Sequence, residues 1–144
     1  MKPVAADSPH PVALSYWKTE VLLAWDEVRR GASTPGDGHN VVIHEFAHQL
    51  DQAGGPANGA PALASAEDYR RWSSVMQGEF DALQWRLAQG IPSLIDPYGA
   101  TNPEEFFAVA CEPFFECGPE LQAWEPRLYA VMQRYFGVDT AQWV

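Results

Sequence analysis

Residues 41–55 read "VVIHEFAHQLDQAGG", with two histidines four apart and a glutamate directly after the first. Asn40, just ahead, is a good N-cap residue, and the Ala-Gly-Gly at 53–55 releases the chain, so a helix is predicted between them. On a helix, residues i and i+4 differ by about 40° in direction and roughly 6 Å in height. His44 and His48 therefore project from one face, and their rings can converge on one ion. Zinc takes imidazole nitrogen at about 2.0–2.1 Å in tetrahedral geometry, and a catalytic zinc lowers the pKa of a bound water towards ~7. Glu45 points about 100° away from the His44 direction, and its longer arm can reach such a water. It would take the proton and later pass it to a leaving amine, which is metal-assisted amide hydrolysis. The same residues also suit an amphipathic helix whose histidines are exposed or bonded to backbone carbonyls. A third ligand separates the two readings.

The metzincin pattern needs glycine at position 51 and histidine at 54, and this chain has Asp51 and Gly54. A peptide-deformylase arrangement needs an upstream cysteine, whereas Cys111 and Cys117 both lie downstream. Downstream carboxylates remain. Asp96 in "DPYG" is one candidate and Glu105 in "NPEEFF" is the other, the glutamate arrangement called gluzincin. Glu105 is favoured because it sits in the first turn of a predicted helix and directly precedes Phe106 and Phe107, which would anchor that turn in a core. Asn102 at N-cap and Glu105 at N3 equally fit a capping box, in which the carboxylate bonds back to the Asn102 N–H.

Neighbouring groups are open to two uses each. Glu104 faces water and favours the helix N-terminus. Glu112 shares the Glu105 face two turns on, as a partner of a ligand or as an ordinary helix carboxylate. Tyr98 could donate to a developing oxyanion, although a packed loop tyrosine is the simpler reading of its position alone. Asp51, one turn beyond His48, could orient a ligand histidine or be solvated near the helix end. His39 reads as a loop residue, and His10 lies in the N-terminal lead.

The 144 residues fit one domain, with residues 1–10 as a loose lead. A 47% hydrophobic fraction with six Trp, seven Phe and five Tyr favours a packed core over disorder. The net charge of −10 comes with no basic patch, so nucleic acid and anionic membranes are not expected partners. No apolar run approaches the roughly 18 residues of a membrane span, the start lacks a signal-peptide core, and two isolated cysteines suit reduced thiols. A cytoplasmic location is expected.

Two runs, "PVALSY" (11–16) and "EVLLAW" (20–25), read as strands. A long helix is predicted over 66–89, with Tyr69, Trp72, Met76, Phe80, Leu83 and Leu87 forming one apolar stripe. A further helix should start at Asn102–Pro103 and be kinked at Pro113 or ended at Glu112. The last, about 119–136, places Leu121, Trp124, Leu128, Val131 and Tyr135 on one side. The expected class is mainly α with a small β element.

Together, "LLAWDEV", "PGDGHNVVIHEFAHQLD", "YRRWSSVM" and "DPYGATNPEEFFAVACEPFF" resemble the Mlc titration factor A family of zinc metallopeptidases, in block order and spacing over residues 20–136. The "YG" with "TNPEEFFA" is also similar to the catalytic region of anthrax lethal factor, a gluzincin. The resemblance implies Zn2+ held by His44, His48 and Glu105, with Glu45 as general base and Tyr98 acting on the transition state. It implies a zincin-like metallopeptidase core in which an edge strand, for which "EVLLAW" is the candidate, holds extended peptide by backbone pairing. Members of that family carry a substantial region ahead of these blocks, where this chain has residues 1–19. That region would help build the upper cleft wall and a regulator surface. The implied function is a zinc-dependent peptidase acting on peptides or small proteins. The alternative is a regulatory binding module that keeps the fold and sequesters a transcription repressor.

Overall fold

The computed structural model describes residues 39–53 and 55–143. They form five α-helices and two single 3-10 turns. The helices are α1 (Val41–Ala53), α2 (Ala66–Gln89), α3 (Pro103–Glu116), α4 (Gly118–Trp124) and α5 (Pro126–Phe136). The 3-10 turns cover Pro97–Ala100 and Thr140–Gln142. The described part is thus mainly helical, with no strand among the described residues. The runs 11–16 and 20–25, expected as strands, lie outside them.

Polar caps set the helix starts. The Asn40 side-chain oxygen accepts from the Val42 and Ile43 N–H groups at 3.0 and 3.2 Å. Ser65 accepts from Asp68 N–H at 3.1 Å, and Asn102 accepts from Glu105 N–H at 2.8 Å. Each bond satisfies a backbone donor that the helix itself leaves unpaired. Helix α2 ends at Gly90, whose φ of 71° is the left-handed conformation that glycine adopts without a Cβ penalty.

Helix α3 is the core element. Nine consecutive residues, Phe106 to Phe114, are buried, as expected for a helix surrounded on all sides. It contacts α1, α2, α4, α5 and the Pro97–Ala100 turn. Trp72 of α2 meets Phe107 edge-on at 5.5 Å between centroids, and Phe80 meets Phe106 at 5.9 Å. Full burial of each such phenylalanine contributes about 1.5–3 kcal/mol. Glu105 is therefore attached to a turn that is firmly seated in the core of the described residues.

Of the two outcomes expected at Pro113, a kink or an end at Glu112, the end is not seen: helix α3 runs through Pro113 to Glu116. Proline removes a single N–H from the ladder, and the buried Phe114 and the Cys117 N–H bond to the Pro113 carbonyl at 2.8 Å hold the following turn. The helix expected over about 119–136 is two helices. Pro126 has no N–H to donate and forces Glu125 out of the helical region, to φ −133° and ψ 65°. Trp124, expected on the apolar side, is 75% exposed at the end of α4. On α2, Trp72, Met76 and Leu83 are buried as the stripe requires, Phe80 packs partly buried against them, while Tyr69 and Leu87 are exposed.

Candidate metal centre

Helix α1 supplies two imidazoles and α3 one carboxylate. His44 Nε2 lies 3.0 Å from Glu105 Oε1, His48 Nε2 lies 3.1 Å from the same oxygen, and the two Nε2 atoms are 3.2 Å apart. His44, His48 and Glu105 form the one group among the described residues whose ligand atoms could jointly hold a metal ion. Two zinc ligands at about 2.0–2.1 Å in tetrahedral geometry stand roughly 3.3–3.4 Å apart, close to these three separations.

The protons around His44 bear on that fit. Its Nδ1 donates to Glu112 Oε2 at 2.7 Å, because an ionised carboxylate only accepts. In the neutral ring Nε2 is then a lone-pair atom facing the Glu105 oxygen and the other imidazole. A proton on His48 Nε2, an extra proton on His44 or a cation can each bridge these atoms. Burial pulls the His44 pKa down, but hydrogen bonds and charge from Glu112, followed by those of Glu105, outweigh it and hold the pKa above the usual histidine value. The donor set fits a divalent cation well.

Glu105 is not spent on a capping box. Asn102 caps its backbone N–H, but the reciprocal carboxylate bond is not made. Oε1 faces the histidines, and Oε2 accepts from the Tyr98 hydroxyl at 3.3 Å. Tyr98 sits on the Pro97–Ala100 turn, capped by Asp96, which accepts from Tyr98 N–H at 2.8 Å. Its side chain is 54% exposed, with the ring 6.2 Å from that of His44. The charge of Glu105, then slight burial, then the hydrogen bond to Glu105, then the charge of Glu45, raise its pKa. Glu45 is half-buried and acts on that phenol, so it belongs to the same side of the site.

Other candidates fall elsewhere. Asp96 is a turn cap, with His39 Nδ1 3.8 Å from its second oxygen. His39 stays exposed, His10 lies outside the described residues, and Glu104 is half-buried in the first turn of α3. Asp51 neither orients a histidine nor faces solvent. It is fully buried and accepts from the Asn58 and Gly59 N–H groups at 3.1 and 2.8 Å. Two participants escaped the sequence reading. Asn40 donates its N–H to Glu112 Oε1 at 2.8 Å and its side-chain amide to Glu116 Oε2 at 3.0 Å. The signal was the spacing of Glu105, Glu112 and Glu116 at i, i+7 and i+11, a single helix face.

Residues 5–137 match the family model described as glucose-regulated metallo-peptidase M90. The chain belongs to this M90 family. An uncharacterized Synechocystis protein is 48% identical over 120 residues, covering 83% of this chain and 44% of its own. Mlc titration factor A of Pectobacterium atrosepticum is 34% identical over 122 residues, 83% of this chain and 45% of its own. That of Yersinia pestis is 32% identical over 128 residues, 87% and 46%. The chain spans less than half the length of these curated relatives. The M90 match encloses α1, Tyr98 and Glu105, so the residues that converge in space lie within the part that defines the family.

Proposed function

We propose that this chain is a zinc-dependent peptidase of the gluzincin type, built as one zincin-like catalytic domain and working in the cytoplasm on peptides or small proteins. The observation that carries the reading is the triangle of His44 Nε2, His48 Nε2 and Glu105 Oε1, with edges of 3.0, 3.1 and 3.2 Å. These three residues would hold Zn2+, which when bound would make a water acidic near pH 7 and polarise a peptide carbonyl.

The chain's own groups divide the remaining work. Glu112 keeps the Nδ1 proton of His44, which leaves Nε2 as a ligand atom and fixes the ring plane. Glu45, half-buried one residue after His44, accepts the water proton and delivers it to the leaving amine. Tyr98 donates to the oxyanion that develops on the substrate. Its raised pKa keeps the phenol protonated, hence a donor, across the neutral range. The exposure of Tyr98 leaves the phenol able to exchange Glu105 for a substrate oxygen.

The 144-residue chain should bind about one zinc, and Glu45→Gln should keep the metal while losing about 10²-fold or more in peptide hydrolysis. Hydrolysis unchanged in Glu45→Gln removes that residue's role. Protein that takes up no zinc sinks the peptidase reading.

The name Mlc titration factor A, carried by two of the relatives, favours a second reading. In it the chain keeps the metal site and acts as a regulatory module that binds a transcription repressor. Zinc-loaded protein that cleaves no member of a peptide library but captures such a repressor would decide for the module.

A further inference from the structure

We infer that Asp51 is the positioning residue of the site: it clamps the end of the two-histidine helix to the start of the helix that carries Glu105. The inference rests on the metal reading above and concerns what sets the distance between its two halves.

Asp51 lies three residues beyond His48, in the last turn of α1. A carboxylate there opposes the helix dipole, and α1 has no basic residue in that turn to offset it. It is also fully buried, which costs free energy unless the charge is well hydrogen-bonded. Both oxygens are used, one on Asn58 N–H at 3.1 Å and one on Gly59 N–H at 2.8 Å. Neither contact involves a histidine.

The clamped loop rests directly on α3. Gly59 has φ +82°, and a Cβ built there would stand 2.5 Å from the Pro103 carbonyl oxygen and 2.9 Å from its carbon. Those are backbone atoms of the first residue of α3, two positions before Glu105, and they cannot rotate aside. From the other side, the Trp72 indole N–H donates to the Gly59 carbonyl at 2.9 Å while its ring packs on Phe107. Gly59 is thus held by Asp51, Trp72 and Pro103 at once. The loop becomes a spacer between α1 and the first turn of α3, and the 3.0 and 3.1 Å separations of Glu105 from the histidines depend on it. A functional constellation tolerates displacement of only about 0.5 Å.

The test is zinc affinity, measured on the full 144-residue chain by competition with a chromophoric chelator, with melting of the metal-free form followed separately. Asp51→Asn and Gly59→Ala should each weaken zinc binding by about tenfold, the lower end of what outer positioning contacts contribute. Trp72→Phe, which keeps an aromatic ring and removes the indole N–H, should shift affinity in the same direction and serves as the milder variant. In a Glu105→Ala background, Asp51→Asn should add little further loss, because its effect passes through Glu105. A merely structural Asp51 would lower the melting temperature with zinc affinity unchanged, and that result overturns the inference. So do losses that multiply fully in the double variant. A parent chain that binds no zinc overturns the metal reading instead, so the two failures are distinguishable.

Discussion

Glu112 meets His44 across 68 residues of sequence, and that contact governs how the site behaves without metal. Because the folded pKa of His44 lies above its ordinary 6.5, the protonated ring is favoured in the folded state. The stabilisation is fully present below the unfolded pKa and is lost as pH rises through the folded value. Metal-free protein should therefore melt at progressively lower temperature as pH rises from about 6.5. Glu112→Gln should flatten that dependence and weaken zinc binding by about 10–100-fold. A pH–melting curve identical in both proteins would remove the pairing from the account. His44 and His48 could be read as a pair in the sequence because their geometry is local to one helix. Glu105 was readable only as one of two roles, since a residue at N3 can cap or ligate, and the structure separates backbone capping from the side chain's direction. Glu112 stayed ambiguous because its partner comes from another helix.

Helices are where local chemistry carried furthest and where it failed for identifiable reasons. Asn40 and Asn102 marked two starts correctly, since a cap is satisfied within three residues of itself. Pro126 was the missed boundary, hidden by an apolar stripe that continues on both sides of the break. Its consequence reaches α2. The junction residue Glu125 is buried and accepts from Arg86 at 3.1 Å, and it shares a hydrogen bond with Glu79. Burial first, then the bond to Glu125 and its charge, push the Glu79 pKa up to about 7, against opposing pulls from Arg86 and Arg127. A carboxyl with a raised folded pKa stabilises fully below its ordinary value of 4.5, and that contribution is lost as pH rises through about 7. Glu79→Gln keeps a donor towards Glu125 and cannot ionise. It should raise the melting temperature at pH 8 and leave it nearly unchanged at pH 4. Equal shifts at both values would mean that the α2 contact with Glu125 does not titrate in this range.

At the scale of the whole molecule, the proposed site acts as a cross-link. Its ligands come from two helices whose paired residues stand 57 and 61 positions apart, with α2 and the Tyr98 turn between them. A mainly helical class was legible because aromatic and aliphatic spacings repeat every three to four residues, whereas the packing of α1 on α3 depends on contacts that no local window contains. An ion bound by both helices binds the folded state and has no comparable site in the unfolded chain. Occupancy must then raise stability, by about 2.7 kcal/mol at a free zinc concentration 100 times the dissociation constant. For a chain of this size that corresponds to a rise in melting temperature of about 5–10 °C. The rise should grow with the logarithm of zinc concentration, vanish in His44→Ala, and persist in His39→Ala, where an exposed histidine outside the triangle is removed. Calorimetry across a zinc series distinguishes this from nonspecific binding to an acidic surface of net charge −10, which would persist in His44→Ala and fade with added salt. A shift that survives His44→Ala would mean that the stabilising ion sits elsewhere, and α1 and α3 would then be held together by their packing alone.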